Sequence, residues 1–399
     1  MKKRISLMLV LLLILSVFAG CAQNAAAPEA TPASTEPAAE APAAEATPAA
    51  DATPVKIAVA LPFTGDNAEY GNSFYTSAEI MVEEWNAKGG VLGKPVELVK
   101  FDDKNSAEEA TSIAQKIVSD KDIIGVLGHF ASGVSMAAAP TYEENQIIEI
   151  SNCASHPDYS GIGDYIFRNN TVISEEFKVI VDILVNDLKV SKVGVVAIKT
   201  DWGTTAGGIA DELIKGNPAL TLVAHEDVME TSDDYSPAIA KLEDAGAEAV
   251  VLVGMYGLYG PIAKQYKAVN PEIKLVGVSN AYTQQIIELG GDAVEGLLAP
   301  VSFYSDSDDP AVQSFVAKYT ERFGSEPSSL AAQAYDSIGI FLTAIENAGT
   351  LDRPAVRDAV QNIDYPGITG QTTFDEIGDA AKNYTKVVIK DGKFVRYEG

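Results

Sequence analysis

Six short polar segments stand directly behind apolar runs, and they carry side chains of the types that could hold a small polar solute. They are PFTGDNAEYG (Pro62 to Gly71), GHFASG (Gly128 to Gly133), SNCASHP (Ser151 to Pro157), TDWG (Thr200 to Gly203), GMYG (Gly254 to Gly257) and GVSNAY (Gly277 to Tyr282). In open α/β sheets, ligands bind outside the carboxyl ends of the strands, where loops and helix N-termini present free N–H groups to anions. Covalent chemistry is hardly represented. Gly93-Lys94 is followed by Pro95 and lacks the upstream glycine of a phosphate-binding loop, no GxGxxG opens a helix, and neither HExxH nor GxSxG occurs. His129 with Ser132 is a possible base and nucleophile, but the three-residue spacing fits a turn better and no orienting acid can be assigned. Asp306, Asp308 and Asp309 lack the glycine and distal glutamate of a calcium loop and read as a solvated turn before Pro310. Cys21 and Cys153 have no CxxC partner, which excludes a disulfide scaffold and a zinc site. Neither a metal nor a cofactor is expected.

The elements that must position these segments alternate regularly. VKIAVAL (Val55 to Leu61) precedes a helix over Asn72 to Lys88 that Gly89 and Gly90 stop. PVELVKF (Pro95 to Phe101) precedes a helix capped by Ser106 with Glu109, and IIGVLGH (Ile123 to His129) one near Gly133 to Asn145. After IIEIS (Ile147 to Ser151) and YIFRN (Tyr165 to Asn169) a second series starts, with strands VGVVAIK (Val193 to Lys199), TLVAHED (Thr221 to Asp227), AVVLVGM (Ala249 to Met255), KLVGVS (Lys274 to Ser279) and GLLAPVSF (Gly296 to Phe303). The helices between them are read over Glu175 to Leu188, Thr204 to Lys215, Pro237 to Asp244, Leu258 to Ala268 and Thr283 to Leu289. Strict strand and helix alternation predicts parallel sheets with helices on both faces, hence an α/β fold of two doubly wound, Rossmann-like lobes. Three further helices, around Val312 to Phe323, Leu330 to Ala348 and Pro354 to Gln361, cap one lobe, and a hairpin turns at Asp391-Gly392.

The whole chain narrows the partners. It has 399 residues, 56 of them acidic and 29 basic, for a formal net charge of −27. Such a surface repels nucleic acid and anionic membranes, leaving small molecules or other proteins as partners. Lys2, Lys3 and Arg4 precede the apolar run Ile5 to Phe18 and the small residues Ala19 and Gly20, the order of an export signal, and the run is shorter than the ~20 residues of a membrane span. Cys21 follows directly and resembles a bacterial lipobox cysteine, with Phe18 where most lipoboxes carry leucine. The expected organisation is a lipoprotein signal peptide over 1–20, a disordered Ala/Pro/Glu tether over 21–54 and a ligand-binding domain over 55–399. The tether offers no large apolar side chain to bury.

Phe63-Thr64-Gly65 with Tyr70-Gly71, then Asn86-Ala87-Lys88-Gly89-Gly90 ahead of Gly93, Asp102-Asp103, Gly128-His129 with Ser132, and Ala334-Tyr335-Asp336 occur in a characteristic order and spacing. In combination they make residues 55–399 resemble a type I periplasmic-binding protein of the branched-chain amino acid (leucine/isoleucine/valine) subfamily, the substrate receptor of an ABC importer. The resemblance implies two lobes joined by a three-strand hinge and closing on the ligand. Lobe 1 is expected at about 55–170 plus 304–365, and lobe 2 at about 171–303 plus 366–399. By position it assigns the ligand carboxylate to Ser132 and Ser155, the ligand ammonium to the Cys153 carbonyl, apolar walls to Tyr70 and Trp202, and a contact from the second lobe to Tyr256. At Ser279 the family often places an acidic residue that pairs with the α-ammonium, so the hydroxyl of Ser279 is expected there as a neutral acceptor. The implied protein is not an enzyme. It is a monomeric extracytoplasmic receptor for an apolar amino acid, working with an ABC permease and touching the membrane only through a lipid on Cys21, or else periplasmic. The alternatives are a receptor or sensor for a small amide or non-amino carboxylate and, further off, a hydrolase using His129 and Ser132.

Overall fold

Apolar runs bounded by Gly, Pro and Asn become buried strands, and the amphipathic stretches between them become the helices that cover both sheet faces. The computed structural model describes residues 53–399; Cys21, the expected signal peptide and most of the expected tether lie outside them. The first series is β1 (Val55–Leu61), α1 (Ala68–Ala87), β2 (Val96–Asp102), α2 (Ala107–Ser119), β3 (Ile123–Gly128), α3 (Ser132–Glu144), β4 (Ile148–Ser151) and β5 (Ile166–Arg168). The second is α4 (Ile173–Asp182), β6 (Lys192–Ile198), α5 (Asp201–Gly216), β7 (Thr221–Val228), α6 (Ser236–Asp244), β8 (Ala249–Val253), α7 (Tyr256–Val269), β9 (Lys274–Gly277), α8 (Gln284–Gly290) and β10 (Leu298–Val301). The chain closes with α9 (Pro310–Phe323), α10 (Ser329–Ala348), α11 (Arg353–Gln361), a small hairpin of β11 (Tyr365–Gly367) and β12 (Gly370–Thr372), and a second hairpin of β13 (Thr385–Lys390) and β14 (Lys393–Arg396).

Two sheets result. One has the order β2-β1-β3-β4-β5 and is parallel throughout. The other has the order β14-β13-β10-β9-β8-β6-β7, parallel from β7 to β10 and antiparallel where the final hairpin joins. Every residue of β3 is buried, as a central parallel strand covered on both faces requires. The Ser106 hydroxyl caps α2 by accepting from Glu109 N, and Asp391 with Gly392, both at positive φ, make the last hairpin turn.

Helix starts differ from the sequence reading in a consistent way. α5 begins at Asp201 rather than Thr204, because the Thr200 hydroxyl accepts from Gly203 N at 3.0 Å and caps it there. α7 begins at Tyr256 rather than Leu258, and α1 at Ala68 rather than Asn72. Trp202, Tyr256 and Tyr70 therefore sit on first helical turns and not on loops. Gly203 permits the tight entry to α5: a Cβ there would lie 2.1 Å from Ile198 O.

The chain passes between the sheets three times, after β5, after β10 and before β13. Hydrogen bonds tie these passages together. Gln333 of α10 donates to Asn170 Oδ1 and to Ser302 Oγ, both at 3.2 Å, bracing the first passage against the second. Arg168 N donates to Gly378 O, Ala380 N donates to Arg168 O, and Thr171 pairs its hydroxyl with that of Tyr384, which braces the first against the third. Beside them the buried Asp336 of α10 accepts from Ile368 N (3.0 Å), Thr369 N (2.8 Å) and the Thr369 hydroxyl (2.5 Å), and Lys382 donates to the hydroxyls of Thr369 and Thr372.

Candidate functional site

A cavity of about 320 Å³ lies between the carboxyl ends of the two sheets. At ~30 Å³ per water it has room for about ten water-sized groups. Phe130, Ser132 and Cys153 line it from the first sheet, and Ile198, Trp202, Glu230, Met255 and Asn280 from the second.

One end of the cavity is the start of α3. Its N-cap residue, Ala131, has no side chain with which to cap the helix, so among the described residues the N–H groups of Ser132 and Gly133 find no side-chain acceptor. The positive end of a helix left open in this way favours an anion. Ser132 Oγ accepts from Ser155 N at 3.2 Å, and Ser155 Oγ accepts from Trp202 Nε1 at 2.8 Å. Both hydroxyls thus use an acceptor site and keep their own proton to donate. The same chain of bonds runs from the second lobe, through Trp202, to the helix start on the first.

Of the residues expected at the site, Ser132, Cys153 and Trp202 line the cavity. Ser155 stands behind them, buried and linked to both Ser132 and Trp202. The Cys153 carbonyl accepts from Asn170 Nδ2 at 2.9 Å, and burial pushes its thiol well up, which keeps the sulfur protonated and unreactive. Tyr70 and Tyr256 pack on one another instead of lining the cavity: their ring centroids are 5.3 Å apart, and Tyr70 Oη accepts from Tyr256 N at 3.3 Å. Tyr70 also stacks on Phe130, at 4.7 Å, and so supports a cavity wall from behind. Gln285 donates to Glu69 nearby, making a further contact between the lobes.

Ser279 faces away. Its N and Oγ both donate to the carboxylate of the buried Glu176 on α4, and the next residue, Asn280, lines the cavity in its place. Burial pushes the Glu176 carboxyl up to about 7, against the pull of those two bonds. Glu230 is a second carboxylate that the sequence reading missed; it reaches the cavity from the loop after β7 and stands against Gly257 at the start of α7, its Oε1 3.1 Å from where a Cβ there would lie. The signal for it was present. It follows a strand of the parallel sheet just as the six chosen loops do, but its segment, METSDD, has the look of a solvated turn.

His129 offers no base for Ser132. It is fully buried, with Nδ1 2.6 Å from Asp103 Oδ2 and Nε2 3.1 Å from the Tyr142 hydroxyl, so both ring nitrogens are occupied away from the serine. Asp309 of the acidic turn caps α9 through Ala311 N. Among the described residues no group of three His, Cys, Asp or Glu side chains is placed to hold a metal ion, and no helix is long and apolar enough to cross a membrane.

Comparison with known proteins agrees with this architecture. Residues 54–393 match the periplasmic binding protein family. The leucine-, isoleucine-, valine-, threonine- and alanine-binding protein of Pseudomonas aeruginosa is 29% identical over 343 residues, covering 84% of this chain and 89% of that protein. Among solved structures, a leucine-binding protein from Thermotoga maritima is 26% identical with a TM-score of 0.78, over 86% of this chain and 97% of that one. A solute-binding protein from R. palustris in complex with benzoate shares the fold at 20% identity, with a TM-score of 0.79 over 86% of this chain and 95% of that one. Members of this family are solute-binding proteins rather than enzymes, and the family places them outside the cytoplasm. With two α/β sheets whose carboxyl ends meet at one cavity and three braced passages between them, the chain belongs to the periplasmic binding protein family, as a type I member of its branched-chain amino acid subfamily.

Proposed function

We propose that this chain is the substrate-binding component of an ABC importer, anchored by a lipid on Cys21, and that it captures a branched-chain or other apolar amino acid between its closing lobes. The observation that carries this reading is the uncapped start of α3, with the Ser132 hydroxyl, lining a cleft with room for about ten water-sized groups. A carboxylate docks at the helix start, and the side chain lies against Phe130, Ile198, Met255 and the ring of Trp202. A carboxylate without an amino group is the competing solute class, raised by the benzoate-bound fold relative. The test is a thermal-shift screen of the purified chain against the twenty amino acids, their amides and their des-amino acids. A ligand at 100 times its Kd adds ~2.7 kcal/mol of stability. If no amino acid or carboxylate shifts the melting temperature, the reading is wrong.

Two substitutions probe the clamp. Ser132→Ala removes a hydroxyl donor to the ligand carboxylate, and a hydrogen bond to a charged group contributes about 2 kcal/mol, so Kd is expected to rise roughly thirtyfold; the free protein is expected to melt lower too, because Ser155 N loses its acceptor. Equal affinity by calorimetry would discard the clamp. Trp202→Phe keeps an aromatic wall but deletes the N–H that holds Ser155 Oγ at 2.8 Å. The expected loss is about 1 kcal/mol, a roughly fivefold rise in Kd. An unchanged Kd would mean that this bond between the lobes does not contribute to the bound state.

A further inference from the structure

The charges around the cavity are one-sided. Its lining contains two carboxylates, Asp201 and Glu230, and no lysine, arginine or histidine. Asp201 is exposed and stands over the start of α3, its Oδ2 3.0 Å from where a Cβ on Gly133 would lie. Glu230 is half-buried, and among the described residues no ion pair includes it. Gly257, against which it stands at the start of α7, can offer one backbone donor at most to a group with about four acceptor sites.

A carboxylate drawn out of water without a cation is held at a cost, and a cation brought to it recovers that cost. The cavity therefore has a half-buried negative charge at Glu230 and, at the uncapped start of α3, N–H groups facing an Asp201 charge that is exposed to water and screened by it. A zwitterion matches both Glu230 and the helix start, whereas a simple carboxylate matches only one. Glu176 cannot take this role directly, because it does not line the cavity and its two oxygens are turned to Ser279.

We infer that Glu230 is the counter-charge for the ammonium group of the ligand, supplied from the loop after β7 instead of from position 279, and that it sets the preference of the site for amino acids over their des-amino acids. This rests on the reading proposed above. Burial pushes the Glu230 carboxyl up to about 6, so it is still ionised at pH 7.5 and available to a cation.

The experiment takes the L-amino acid giving the largest thermal shift, together with its des-amino acid, and measures both dissociation constants at pH 7.5 for the parent, Glu230→Gln and Glu230→Asp. The parent is expected to prefer the amino acid, and Glu230→Gln to cut that preference about tenfold or more, by weakening the amino acid while the des-amino acid binds as well or better. Glu230→Asp, which keeps the charge but draws it back by one methylene, is expected to retain part of the preference. If Glu230 only caps α7, Glu230→Gln weakens both ligands alike and the preference is unchanged, which overturns the inference while leaving the proposed function standing. If Glu230→Gln does not fold, an unchanged preference in Glu230→Asp overturns it equally. If no amino acid binds the parent, both fall together.

Discussion

Glu176→Gln is expected to stabilise the free protein by about 3 kcal/mol at pH 8 and to change it little at pH 4.5. Glu176 is only 3% exposed, and burial lifts its carboxyl from an ordinary value near 4.5 to about 7. The folded state thus holds the proton more tightly than the unfolded chain does. That contribution to stability is complete below the unfolded value and is lost as the pH rises through about 7. Glutamine fills the same space, accepts from Ser279 N and can donate to Ser279 Oγ, so it removes the buried charge without orphaning its partners. Urea unfolding of both proteins at the two pH values measures the difference. An equal gap at pH 4.5 and pH 8 would show that the carboxylate is not held up by burial.

Asp336→Ala is expected to cost about 3–5 kcal/mol, because it takes the acceptor from three donors and each buried donor left unsatisfied costs about 1–3 kcal/mol. Asp336 is fully buried, and its oxygens satisfy two backbone N–H groups and the Thr369 hydroxyl. Burial lowers the Lys382 ammonium to about 8, and the Asp336 charge is what holds it up against that. Alanine leaves three donors without an acceptor and an ammonium without a counter-charge, beside the third passage between the lobes. Asp336→Asn keeps an acceptor and is expected to lose less. Unfolding free energies by urea titration decide the matter, and a loss below 1 kcal/mol for Asp336→Ala would mean that water replaces the carboxylate.

The sheets were legible because apolar runs such as IIGVLG, without alternation, can only be strands covered on both faces. The loops that carry Ser132, Cys153 and Trp202 were legible at the cavity because parallel topology brings strand ends together, while the choice of these residues within them came from the family resemblance. Helix starts were not. Asp201-Trp202-Gly203 and Ala68-Glu69-Tyr70-Gly71 have the composition of loops, and what makes them helical is a cap one residue earlier or packing from the other lobe. Ser279 and Asn280 lie on one turn of 3₁₀ helix, where consecutive side chains point about 120° apart. Which of them faces the cavity depends on Glu176, more than a hundred residues upstream. Asp103 and His129 show the same limit. Their contact is evident only once β2 and β3 are seen on either side of β1.

The bracing of the three passages has a mechanical consequence. Strands pinned to one another by Gln333 and by the Arg168 and Thr171 bonds cannot slide past each other without breaking them. Where those bonds hold, shear is opposed and bending is left, so that the relative position of the lobes would reduce to a single angle. A solute that bridges the cavity sets that angle from inside. Any partner that grips the outer faces of both lobes reads the same angle from outside, and by prying it open lowers the affinity for the solute in equal measure. Occupancy and shape are then one variable, and the protein can report the first only by displaying the second.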